Sequence, residues 1–117
     1  MTTPTTHQVI KRLSELSRML DSATAEMAEL DETAVLAKSA YEVRYARSFL
    51  SSDGAMEVRK HQAVIEAADQ KLGAEMAEQK VRACRERIRT LRDQIDIGRS
   101  LNSAVKAEWA ASGAGQP

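Results

Sequence analysis

The stretch VIKRLSELSRMLDSATAEMAELDETAVLAKSAY, residues 9–41, decides the fold of this chain. Apolar or small residues recur through it at alternating intervals of four and three. They are Val9, Leu13, Leu16, Leu20, Ala23, Met27, Leu30, Ala34, Ala37 and Tyr41. This spacing is the heptad pattern of a helix that packs along one stripe against another helix. It continues for more than four repeats, which favours a coiled coil over a globular bundle.

A second seam follows the strong turn signal SSDG at residues 51–54. It repeats the same spacing with Ala77, Val81, Cys84, Ile88, Leu91 and Ile95. Folding the chain back at Gly54 pairs the two seams symmetrically, for example Leu13 with Ile95 and Leu30 with Ala77. The predicted fold is therefore all-α: a long antiparallel helical hairpin, a coiled coil with its turn at residues 51–54, that assembles into an oligomeric helical bundle.

The predicted organisation is one helical-hairpin domain at residues 6–111, since 117 residues allow one domain at most. Helix one covers about residues 6–51 and helix two about residues 55–110. Residues 1–5 and 112–117 are predicted to be disordered. We interpret Gly73, which lies among alanines in helix two, as a position of close helix packing.

Eight apolar residues lie outside the predicted contact between the two helices. Some are off the main seam of helix one, and the others are at the end of helix two, which in the predicted pairing extends past the start of helix one. The eight residues are Ile10, Met19, Leu36, Val43, Leu50, Leu101, Val105 and Trp109. A two-helix hairpin buries little apolar surface, which does little to offset the conformational entropy that its chain loses on folding. In addition, exposed apolar stripes usually mark an interface. We therefore expect a homo-oligomer with these residues in subunit contacts.

Helix two carries an arginine row, which consists of Arg82, Arg85, Arg89, Arg92 and Arg99. The whole chain is neutral, with 17 basic and 17 acidic residues, so any binding of nucleic acid depends on where the charges lie. The predicted pairing places uncharged Thr24 opposite Arg85. Arginine binds phosphate bidentately, which makes the row a candidate nucleic-acid interface. The alternatives are solvation, salt bridges between subunits, and i,i+4 pairs such as Arg82–Glu86. A further alternative is pairing within the hairpin, because the predicted register lays the acidic residues of 21–32 against residues 76–87.

A second basic group, the tip cluster, lies near the predicted turn. It consists of Arg44, Arg47, Arg59 and Lys60. Like charges gathered at one end of a hairpin would attract an anion or an acidic partner, although independent solvated side chains explain them equally well. Tyr41, Tyr45 and Phe49 form an aromatic row nearby, for packing at the tip or for stacking on bases.

Motifs that point to an enzyme are missing from the sequence. It has no Gly-rich phosphate loop, no Cys/His cluster and no recognisable Ser/His/Asp set, so we predict no catalytic residue, metal or cofactor. The single cysteine, Cys84, excludes an internal disulfide. No apolar run is long enough for a membrane span, and MTTPTTHQ at the N-terminus is not a secretory signal. We expect a cytoplasmic protein with no membrane partner.

Tyr41-Glu42, Tyr45 and Phe49 precede the Ser-rich turn, and Glu57-Val58-Arg59-Lys60 and a long helix rich in Ala, Lys, Glu and Arg follow it. In this order, residues from about 33 to 97 resemble the small helical recombination mediators of tailed bacteriophages. The resemblance implies an oligomer of helical hairpins that binds single-stranded DNA through basic residues without base specificity. Arg59 and Lys60 match the basic residues that follow the turn in that family.

The leading hypothesis is a non-enzymatic oligomer that binds single-stranded DNA and acts as an accessory in recombination or replication. Its further partners would be a recombinase or a single-strand-binding protein, in the host cytoplasm if a phage encodes it. The alternative is a structural or adaptor coiled-coil protein, a scaffold or chaperone, that binds only protein. A third hypothesis is a secreted hairpin substrate of a specialised export system, although the turn lacks the Trp-x-Gly of such proteins.

Overall fold

The computed structural model describes residues 5–114, and all regular structure in this part of the chain is helical. Helix α1 spans Thr6–Ser51, α2 spans Met56–Glu66 and α3 spans Ala68–Ala114. The predicted all-α class is confirmed. The predicted disorder at residues 1–4 and 115–117 lies outside the described residues, whereas α3 continues through residues 112–114.

The break between α1 and α2 falls at residues 52–55, where the SSDG sequence predicts it. Gly54 has a φ of 105°, in the left-handed region that favours glycine. A Cβ at this position would meet only Val58, at 3.7 Å, so the backbone angle rather than crowding demands glycine. The Ser48 carbonyl near the end of α1 accepts both the Ser52 N–H, at 3.0 Å, and the Ser52 hydroxyl, at 2.6 Å.

The helix predicted at about 55–110 consists of two helices in the structure. Ala67 separates α2 from α3, with φ −96° and ψ 6°. The Ala67 N–H still donates to the Ala63 carbonyl, and the Lys71 N–H donates to the Ala67 carbonyl, both at 2.9 Å. The break is therefore a local change of backbone angle within a continuing hydrogen-bond ladder. Alanine is the strongest helix former, so nothing in the sequence indicates a break there.

Contacts divide the chain into two compact units. Unit 1 comprises residues 1–25 and 86–117, and unit 2 comprises residues 26–85. Each unit therefore contains part of α1 and part of α3. The core of unit 1 is a cluster formed by Leu16, Ala23, Leu91 and Ile95, with Leu13, Leu20 and Ile88 packed against it.

Every residue of the two predicted seams is buried or half-buried. On α1, Val9, Leu16 and Ala23 are buried. On α3, Ala77, Val81, Cys84, Leu91 and Ile95 are buried. The spacing of three and four also extends backwards from Ala77 through Ala74, Gln70, Ala67 and Ala63, all of which are at least half-buried. Heptad spacing therefore identified the packing stripe of each helix.

The sequence symmetry pairs Leu13 with Ile95, and in unit 1 Leu13 packs against the cluster that contains Ile95. Leu13 also lies against Gly98, which follows Ile95 by about one turn of α3. A Cβ on Gly98 would lie 2.7 Å from Leu13 Cδ2 and 3.3 Å from Leu13 Cγ. Gly98 is thus the close-packing glycine. The assignment of that role to Gly73 was wrong, because the buried stripe passes through Ala74 and no described atom lies within 4 Å of a Cβ on Gly73.

These two glycines give a stability prediction. Gly73→Ala should raise the free energy of unfolding by roughly 0.5–1 kcal/mol, because alanine lowers the backbone entropy of the unfolded helix segment and meets no neighbour. Gly98→Ala should raise the free energy of unfolding by less, because the Leu13 side chain must move to accommodate the new methyl group. Urea unfolding at one fixed protein concentration measures both. An equal gain from the two variants would show that the Leu13–Gly98 contact imposes no constraint.

Candidate nucleic-acid interface

The unit 2 part of the arginine row, Arg82 and Arg85, lies in a groove of about 340 Å³. The other residues of this groove are Asp31, Ala34, Val35, Lys38, Glu78 and Val81. Three cations therefore share the groove with two carboxylates. The sequence pairing placed the uncharged Thr24 opposite Arg85, and in the structure the acidic Asp31 shares the groove with that arginine. Neither arginine has a carboxylate within salt-bridge distance among residues 5–114.

The unit 1 part of the row consists of Arg89, Arg92 and Arg99, all of which are exposed. Arg89 Nη1 lies 2.8 Å from Glu86 Oε1, an i,i+3 pair in which both side chains are about two-thirds exposed. Glu86 thus pairs with Arg89 and not, as the i,i+4 alternative has it, with Arg82. Exposed ion pairs contribute at most about 1 kcal/mol, so this pair does not prevent Arg89 from binding phosphate. Arg92 and Arg99 have no ion pair within the described part of the chain.

The four residues of the tip cluster have different surroundings in unit 2. Arg44 Nη2 lies 3.7 Å from Glu66 Oε2, and Lys60 Nζ lies 3.6 Å from Glu57 Oε1. Arg47 is exposed. Arg59 is half-buried, and its Nε is buried without a hydrogen-bond partner among the described residues. Two of the four charges are therefore compensated locally, which makes the tip cluster a weaker candidate for phosphate than the arginine row.

Glu66 is the centre of a polar cluster that the sequence analysis missed. The Ser48 hydroxyl donates to Glu66 Oε2 at 2.5 Å, and the Gln62 side-chain amide donates to Oε1 at 2.8 Å. These two hydrogen bonds and the Arg44 charge lower the pKa of Glu66, against the opposing effect of burial. Ser48 is fully buried and lies seven residues after Tyr41, so the heptad spacing contained the signal for its position.

The aromatic row near the tip packs within unit 2. The rings of Tyr41 and Tyr45 are in edge contact, with centroids 6.3 Å apart and planes at 65°. Both tyrosines and Phe49 are half-buried. Edge-to-face pairs of this kind stabilise packing, so these rings are less available for stacking on bases than freely exposed rings would be.

Seven of the eight predicted interface residues are exposed, and Val105 is half-buried. Leu50 and Trp109 are the most exposed of them, at 79% and 77%. The sequence analysis missed eight further large apolar residues that are exposed in the structure. They are Val35, Met56, Val58, Val64, Ile65, Leu72, Met76 and Ile97. Val58, Ile65 and Leu72 are spaced seven apart, a period that would have identified them.

Residues 5–114 contain no group of three or more His, Cys, Asp or Glu side chains that could hold a metal ion. None of the helices, over the same residues, combines the length and the apolar character that crossing a membrane requires. Cys84 lies buried in the seam of α3.

This chain matches no protein-family model, and comparison with curated proteins and with solved structures gives no match. The resemblance to phage recombination mediators therefore stays a prediction from the residues quoted for it.

The Glu66 cluster gives a prediction about pH. A carboxyl group whose pKa is lowered by folding stabilises the fold above its unfolded-state pKa, and this contribution is lost as the pH falls through the folded-state value. For Glu66 the loss should therefore begin near the ordinary value of 4.5 and continue below it. Glu66→Gln should remove that part of the acid sensitivity, and Ser48→Ala should reduce it by raising the pKa of Glu66.

The measurement is the urea midpoint as a function of pH for each variant. Ser39→Ala is the matched control, because Ser39 is an exposed serine of the same helix. Identical pH profiles for the wild type and Glu66→Gln would contradict a stabilising role of the Glu66 carboxylate.

Proposed function

We propose that this chain is a non-enzymatic, oligomeric helical-hairpin protein that binds single-stranded DNA without sequence specificity. It would act in the cytoplasm as an accessory, a mediator, of phage-type recombination or replication, together with a recombinase or a single-strand-binding protein. The observation that carries the proposal is the exposed arginine row of α3, in which four of five arginines lack an ion pair among the described residues.

Contacts within each unit support the hairpin. In unit 1, Leu16 of α1 packs in one cluster with Leu91 and Ile95 of α3. In unit 2, Ser48 and Arg44 of α1 both bind Glu66 at the end of α2. The left-handed backbone of Gly54 is the kind of break that a reversal of the chain requires.

The chemistry of the arginine row favours a polyanion as its partner. An arginine that forms no ion pair gains a charge-assisted, bidentate contact when it meets a phosphate. Each such contact releases condensed counterions, which supplies affinity that is independent of base sequence and falls steeply with salt. Because Tyr41 and Tyr45 are half-buried, base stacking should contribute less to the binding affinity than it does in proteins with exposed aromatic side chains.

Neutralising the row tests the proposal. The triple variant Arg85→Gln, Arg92→Gln, Arg99→Gln should bind a labelled oligothymidylate more weakly than the wild type. For single-stranded DNA, each phosphate contact contributes about −0.7 to the slope of log K against log salt concentration. The slope of the triple variant should therefore be less steep than that of the wild type by about 2. Fluorescence anisotropy over a salt titration that starts near 50 mM measures both quantities.

The matched control is the triple variant Lys11→Gln, Arg18→Gln, Lys71→Gln, which removes the same charge from exposed positions outside the row. It should change the slope by much less. The wild type should also bind mixed-sequence strands as tightly as oligothymidylate. Absence of binding near 50 mM salt, where phosphate-driven affinity is large, would refute the proposal.

A second candidate function, a scaffold or adaptor that binds only protein, is supported by the exposed apolar residues of unit 2. Ten of the fifteen large apolar residues found exposed belong to residues 26–85. Apolar surface of this extent usually marks a contact with another protein. An oligomer in solution that binds no single-stranded DNA at low salt would favour this function over the first.

A further inference from the structure

Helix α1 carries a second heptad stripe, the α1 row, that is separate from its buried seam. The row consists of Leu36, Ala40, Val43, Arg47 and Leu50, spaced four, three, four and three. All five residues lie in unit 2, and Leu36, Val43 and Leu50 are 64%, 46% and 79% exposed. A heptad stripe with large apolar residues seven apart is the pattern that a helix presents to another helix. The row thus has the form of a helix-packing surface without a partner in the chain's described residues.

The charges along α1 indicate what covers this row. Glu29 and Glu32 lie just before it, and Arg47 lies within its second half. All three are exposed, and none has an ion pair among the described residues. If two copies of α1 packed in parallel, each of these charges would face its own equivalent, which is repulsive. An antiparallel pair places the two glutamates of each copy beside Arg47 of the other, so the charges are self-complementary in that orientation only.

We infer that two copies of this chain pair through the α1 row, with their α1 helices antiparallel about a two-fold axis close to Ala40. A two-fold interface uses the same patch on both partners, which suits a stripe that is acidic at one end and basic at the other. The small Ala40 side chain near the axis lets the two helices approach closely. This inference rests on the oligomer of the proposed function and specifies its geometry.

The pairing leaves the arginine groove of unit 2 open. Val35 lines that groove together with Arg82 and Arg85. Leu36, the next residue, points about 100° further around a helix with 3.6 residues per turn. The α1 row and the arginine groove thus lie on different faces of α1, and one copy can use both at once.

The first experiment compares two neighbouring substitutions, Leu36→Glu and Val35→Glu. The two residues are similarly exposed, at 64% and 68%, so neither substitution should unfold the chain. Leu36→Glu should raise the dissociation constant of the pair at least tenfold and lower the mass measured by sedimentation equilibrium. Val35→Glu should leave the mass unchanged. Wild-type mass in the Leu36→Glu variant, or an equal loss in both variants, would overturn the inference.

The second experiment tests the orientation by reversing charges at low salt and without DNA. In an antiparallel pair, Glu32→Lys and Arg47→Glu should each weaken association, because each places like charges together across the interface. The double variant carrying both changes should restore the wild-type dissociation constant. In a parallel pair, Glu32→Lys would only exchange one like-charged contact for another. Unchanged association of both single variants therefore overturns the antiparallel arrangement.

These outcomes are separate from those of the DNA titration. A wild-type chain that is monomeric and still binds single-stranded DNA refutes the pairing alone. A chain that pairs through the α1 row and binds no DNA refutes the proposed DNA binding alone. If Leu36→Glu leaves the self-association unchanged but abolishes capture of a different protein, the row has another occupant and the inference is overturned.

Discussion

Within each unit, the structure depends on the packing of a narrow stripe of α1 against α3. Each helix buries the residues that recur every three or four positions and almost nothing else. A helix that packs along a single stripe leaves most of its circumference facing solvent, whatever residues lie there. The exposure of Leu50 and Trp109 and that of the arginine row therefore have the same cause. Both result from helices that pack along one stripe only.

The composition of the seam limits how much it stabilises each helix. Many of its residues are small, such as Ala23, Ala63, Ala67 and Ala77. Burial contributes about 25 cal/mol per Å² of apolar surface, so an alanine seam contributes less than one built from leucine. Its advantage is that the two helices can approach closely. A polar residue in such a seam is buried, which costs free energy unless the residue is hydrogen-bonded. Ser48, which is fully buried, meets that requirement because its hydroxyl donates a hydrogen bond to Glu66 Oε2.

The same geometry allows two surfaces of different chemistry on one helix. Val35 and Leu36 are neighbours in sequence, yet Val35 lines the arginine groove whereas Leu36 belongs to the α1 row. A charged face suits phosphate, for which only position and charge matter. An apolar heptad stripe suits another helix, for which shape and register matter. The proposed pairing and the proposed DNA binding would therefore use separate faces of α1.

Local spacing, read from the amino-acid sequence, was enough to determine the helical class, the break near Gly54 and the identity of the buried stripe, because period and glycine chemistry are properties of neighbouring residues. Only the tertiary structure showed which further residues meet within each unit, such as Leu13 with Gly98, and Arg85 with Asp31 in one groove. Heptad spacing identifies the stripe of each helix, but a side chain of that stripe lies among several residues of the facing helix, which the spacing does not single out. The backbone change at Ala67 was likewise invisible, because alanine favours a continuous helix.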